Sequence, residues 1–114
     1  MEKELVLYGQ TRYSPYVALA RDLLTRYKIP FREIDVQANP MMADRVTTWT
    51  GRLSLPTLIV TLPGSDVPLT PPTPLETDQA PRGLDRDSLI SEPNNQQLED
   101  WLHKHGFLDK PYKR

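Results

Sequence analysis

Leu5, Val6, Leu7 and Tyr8 form an unbroken apolar run closed by Gly9, and this run restricts the fold more than anything else in the chain. A strand points successive side chains to opposite faces, so a run with no polar alternation has to be covered on both sides. The chain must therefore supply helices for two faces of a sheet. Ser14 before Pro15 marks the first of them. The serine hydroxyl can accept from exposed backbone N–H groups, and proline at the first helical position gives up no hydrogen bond. Tyr16, Ala20, Leu23, Leu24 and Tyr27 then recur at i, i+4, i+7, i+8 and i+11, one helical stripe that ends before Pro30.

The pattern repeats downstream. Phe31 to Val36 reads as a second strand with Ile34 and Val36 on one face, and Asn39 with Pro40 repeats the cap-and-proline start. Met42, Val46 and Trp49 define a second helix that stops at Gly51. Pro56 leads the β-branched run Thr57 to Thr61, a third strand, and Ser88 to Ser91 is a weaker fourth. Asn94 and Gln97 have capping-box spacing, and Leu98, Trp101, Leu102 and His105 share one face of a final helix closed by Gly106. Trp49 and Trp101 read as core. The first two strands, joined by a helix, are expected to be parallel, and the last two, joined only by a loop, antiparallel. The class is α/β.

With 114 residues the chain is expected to form one domain, residues 1–114. Six prolines (Pro63, Pro68, Pro71, Pro72, Pro74, Pro81) crowd between Pro63 and Gly83, which reads as a proline-rich loop inserted at 63–83 within that domain. A net charge of -1 with 25% charged residues is the balance of a folded domain and excludes the basic footprint of a nucleic-acid binder. No apolar stretch has signal-peptide or membrane-span length, so the expected location is cytoplasmic and no membrane partner is expected. His103 and His105, two apart on a helix, point to different faces, so no metal site is expected there. The chain has no cysteine, which removes disulfides, thiolate metal sites and any thiol redox cycle of its own.

The segment YGQTRYSPYVALARDLL resembles the first strand and active-site helix of glutaredoxins, and FREIDVQANPMMADRVTTWTGRLSLPTLIV resembles their second strand, second helix and proline-led third strand. SLISEPNNQQLEDWL resembles the ending of small glutaredoxins of the mycoredoxin kind. The resemblance implies a thioredoxin-like fold: a mixed four-stranded sheet flanked by helices, Pro56 cis beside the helix start at Ser14, and the proline-rich insertion in the last hairpin. It also implies a place in cell redox homeostasis. The departure lies at the chemistry, because the family's cysteine positions hold Ser14 and Val17. A serine oxygen cannot form the disulfide that thiol exchange requires.

A glutaredoxin-like chain without its thiols is expected to be redox-inactive and to serve as a binding or scaffold module, with glutathione or a cysteine-containing protein as the partner. On that resemblance the glutathione-binding residues are Arg12, Tyr13, Ser14, Tyr16, Leu55, Pro56 and Ser91, with no catalytic residue. Arg12 would meet the glycine carboxylate, Tyr13 and Tyr16 would wall the groove, Leu55 and Pro56 would pair with the cysteinyl backbone, and Ser91 would face the γ-glutamyl end. Glu92 beside Ser91 would oppose that carboxylate. Each has a plainer reading: Ser14 as a helix cap, Tyr16 as core, Pro56 as the start of a strand, Arg12 as a solvated surface residue. Two alternatives stay open. SPYV also resembles the helix start of serine-type glutathione transferases, in which the hydroxyl donates to a glutathione thiolate. PLTPPTPLE has the polyproline character that small groove domains recognise.

Overall fold

The computed structural model describes residues 3–10, 12, 14–76 and 78–108. Its elements are β1 (Glu4–Gly9), α1 (Pro15–Arg26), β2 (Arg32–Asp35), α2 (Pro40–Thr50), β3 (Thr57–Thr61), β4 (Leu89–Ser91) and α3 (Asn95–Lys104). The sheet order is β2-β1-β3-β4. β1 runs parallel to β2, with Tyr8 opposite Ile34, and antiparallel to β3, with Val6 opposite Ile59. β3 is antiparallel to β4, with Leu58 opposite Ile90. This is the α/β architecture that the patterning implies.

Alternation along the inner strands divides the apolar side chains between two cores. Leu5, Leu7, Leu58, Val60 and Ile90 face a layer made by Val17, Ala20, Leu23 and Leu24 of α1 and Leu98, Trp101 and Leu102 of α3. Val6, Tyr8, Ile59 and Leu89 face the other way, onto Val46 with Met42 and Trp49 partly buried beside it. Tyr8 and Trp49 meet edge to face, with ring centroids 5.7 Å apart. The helix ends follow local chemistry. Asn94 and Gln97 form the full capping box, and Gly51 closes α2 in the left-handed conformation at φ 81°.

One expectation about α1 needs correcting. Its buried stripe begins at Val17, and Tyr16 is 58% exposed. In the first turn the side that meets β1 carries Val17, and a Cβ at Gly9 would stand only 3.1 Å from Val17 Cγ1. The bare backbone of Gly9 lets helix and strand close at this point, and Tyr16 turns outward.

The connection from β3 to β4 runs through residues 62–88, and none of its described residues belongs to a helix or strand. It is tied down all the same. Leu69 packs on the first core and its N–H donates to the Val60 carbonyl at 2.7 Å. Arg86, only 4% exposed, donates to the carbonyls of Thr73 at 2.8 Å and Trp49 at 2.6 Å. Trp49 lies in the last turn of α2, where unpaired carbonyls concentrate negative potential. Burial lowers the pKa of Arg86 from its ordinary value, but a guanidinium keeps its proton. Arg86→Met should leave both carbonyls without this donor and destabilise the fold by about 1–3 kcal/mol, measured as a lower urea midpoint.

The Tyr8 hydroxyl is buried and donates to the Asp66 carbonyl. Burial, with the Asp66 charge nearby, pushes its pKa from 10.0 to about 12. Folding favours the neutral phenol, so this contribution is complete below pH 10 and is lost as pH rises through about 12. At ~1.4 kcal/mol per unit the loss is about 2–3 kcal/mol. Denaturant titrations should show that part of the alkaline decline disappearing in Tyr8→Phe.

Candidate functional site

Strand direction brings three chain segments to one end of the sheet. Tyr8 near the end of β1, Thr57 at the start of β3 and Ser91 at the end of β4 are register neighbours. The β1–α1 turn, the segment before Pro56 and the segment after Ser91 therefore meet at that end. Leu55–Pro56 is a cis peptide, as the resemblance implies.

Each candidate residue has a definite place. Ser14 is the N-cap of α1, and its Oγ accepts from Val17 N–H at 3.4 Å, a long contact. The backbone N–H of Arg12 donates to Gln37 Oε1 at 2.7 Å, and its exposed guanidinium has no recorded partner among the described residues. Tyr13 lies outside the described residues. Val17, which the resemblance sets at the family's second cysteine position, is 2% exposed in the first core. Leu55 is half-buried, and its N–H and C=O have no hydrogen-bond partner among the described residues. Pro56 is buried and its carbonyl accepts from Glu92 N–H at 2.7 Å. Ser91 is buried with its hydroxyl 2.7 Å from Thr57 Oγ1, while its carbonyl accepts from Gly83 N–H at 2.6 Å. Glu92 and Pro93, next in sequence, are the residues that reach the cavities there.

Two cavities occupy this end. One, of about 550 Å³, is lined by Tyr16, Leu19, Arg82, Glu92, Pro93 and the start of α3. The other, of about 350 Å³, is lined by Gln10, Arg52, Leu53, Leu55, Arg82 and Glu92. Arg82 and Glu92 are the partition between them, 3.0 Å apart, with Arg52 at 3.9 Å from the other carboxylate oxygen. The Arg82 guanidinium also lies 6.0 Å from the Tyr16 ring centroid. Glu92 does not present a bare negative charge, because two arginines flank it. Its backbone sits at φ 46°, a region that non-glycine residues enter at a cost of order 1 kcal/mol or more.

Arg82 is the residue that sequence reasoning missed. It arrives from the β3–β4 connection through an isolated parallel bridge to Ser91, a pairing with no local signature. Leu19 is i+3 from Tyr16, and that spacing could have flagged it.

The glutaredoxin family model matches residues 6–61, from within β1 to the end of β3. The chain is a glutaredoxin-like protein with a thioredoxin-like fold. No curated protein and no solved structure matches it significantly. Having no cysteine, it has no thiol with which to carry out the family's disulfide exchange. Among the described residues no helix is long and apolar enough to cross a membrane, and no group of three or more His, Asp or Glu could hold a metal ion.

A thiol restored at position 14 would sit at the N-terminus of α1, where the macrodipole favours the anion. Ser14→Cys should therefore alkylate with an apparent pKa below the ~8.5 of free cysteine, read from rate against pH. A profile identical to free cysteine would mean that this helix end exerts no such field.

Proposed function

We propose that the chain is a ligand-binding member of the glutaredoxin group, a module that holds glutathione or a cysteine-bearing peptide in a cellular redox context without exchanging disulfides itself. The observation that carries this reading is Leu55, whose backbone donor and acceptor have no partner among the described residues and stand at the cavity edge beside the cis peptide. An extended thiol peptide can add to such an edge as a strand adds to a sheet, and backbone pairing does not depend on the missing cysteines. The charges suit the same ligand. Arg52, Arg82 and Glu92 together carry one net positive charge, with acceptors for an ammonium and donors for a carboxylate. The α-amino-acid end of glutathione has both groups.

Titration of isotope-labelled protein with reduced glutathione should move the backbone amides of Ser14, Leu55 and Glu92 and saturate at millimolar ligand. Leu55→Pro, which deletes the donor, should abolish the shifts at Ser14 and Glu92. Absence of shifts in the wild-type protein would remove glutathione as the ligand.

A further inference from the structure

The β3–β4 connection carries a second pattern, separate from the groove. From Leu69 to Glu76 exposure repeats every three residues, and after a bend at Leu69 and Thr70 the chain runs from Pro71 to Glu76 without bend or turn. Leu69, Pro72 and Leu75 are half-buried, while Thr70, Pro71, Thr73, Pro74 and Glu76 are exposed. A period of three belongs to the polyproline II helix, which has three residues per turn and no internal hydrogen bonds. The segment meets the second condition as well: among the described residues no backbone hydrogen bond joins two of its members. Its polar ties all run outward to the rest of the molecule. Leu69 N–H reaches Val60, the Thr70 hydroxyl reaches Asp87 and Ser88, and the Thr73 carbonyl accepts from buried Arg86.

The segment is therefore more than a tolerated excursion. Leu69, Pro72 and Leu75 seat it, and the opposite side repeats Thr-Pro twice, at Thr70–Pro71 and Thr73–Pro74. Pro71 and Pro74 are one turn apart, about 9 Å on a polyproline II rise. A chain already held in this form loses little conformational freedom on docking, which is where flexible proline-rich ligands lose affinity. Charge narrows the kind of partner further. Residues 62–81 contain Asp66, Glu76 and Asp78 and no lysine or arginine. Asp66 is paired with Arg32 at 2.7 Å, and the exposed Glu76 and Asp78 flank the end of the ridge.

We propose that Pro71–Glu76, entered through the bend at Leu69 and Thr70, is a prebuilt polyproline II ligand that docks, through Pro71 and Pro74, into the aromatic-lined groove of a partner protein domain whose groove rim is basic. The groove at the Ser14 end of the sheet plays no part in this docking.

The test uses the full chain, isotope-labelled, titrated with purified WW, SH3 and EVH1 domains selected for basic groove rims. At least one should bind saturably, with amide shifts concentrated at Leu69, Thr70, Thr73 and Leu75. Pro71→Ala with Pro74→Ala should weaken that complex about tenfold or more and lower the unfolding midpoint only slightly, since both rings face solvent and only the unfolded chain gains freedom. Glu76→Lys, which leaves every proline in place, should weaken it through charge alone. A synthetic peptide of residues 66–79 should bind about tenfold less tightly than the intact chain. No binding by any of the domains, shifts that map elsewhere, or full affinity in both variants would overturn the proposal; equal affinity of the free peptide would overturn its prebuilt character.

Discussion

Everything in the architecture depends on β1 being dry on both faces. Leu5 and Leu7 need one apolar cover, Val6 and Tyr8 another, and the three helices among the described residues provide both. α1 and α3 take one side and α2 takes the other. Once those layers are set, the strand directions leave no choice about where the connections meet. The end of β1, the start of β3 and the end of β4 share one rim, so the turns that leave these strands gather there.

The rim combines backbone groups open to pairing with a charged partition. Its backbone elements are the capped helix start, the cis peptide and the edge at Leu55, unpaired among the described residues. The side chains at the rim contribute charge and no thiol. Glu92 is held in an unfavourable backbone region, with its carboxylate between two arginines. One of those arginines comes from a part of the chain beyond the stretch matched by the family model, residues 6–61. The groove is thus partitioned by residues from outside the segment that defines its family.

Most of the fold was legible in the residues because each element carries its own physics. A Ser-Pro start, a glycine stop and a capping box mark helix ends through local hydrogen bonding, the Asn39-Pro40 start marks α2 without a side-chain cap bond, and a continuous apolar run marks the central strand through desolvation. Two kinds of information were not legible. Tyr16 and Val17 are adjacent and both fit a helical stripe, so which of them is buried depends on how closely Gly9 lets α1 approach. Arg82 and Ser91 are nine positions apart in sequence, and their bridge exists only because the connection folds back along β4. The cis state of Leu55–Pro56 followed from family resemblance, since most X–Pro bonds are trans. The proline spacing at 68, 71 and 74 was visible in the sequence, but the face that would be docked was not, because it depends on where a buried guanidinium finds carbonyls.

The two arginines that tie down the β3–β4 connection work in different solvents. Arg82 meets Glu92 with about 61% of its side chain in water, where mobile ions screen attraction over a Debye length of about 8 Å at physiological salt. Arg86 is sealed against neutral carbonyls, which attract no counterions of their own. Rising ionic strength therefore loosens the groove end of the connection and leaves the ridge end clamped. The same short segment is salt-responsive at one anchor and salt-indifferent at the other, four residues away.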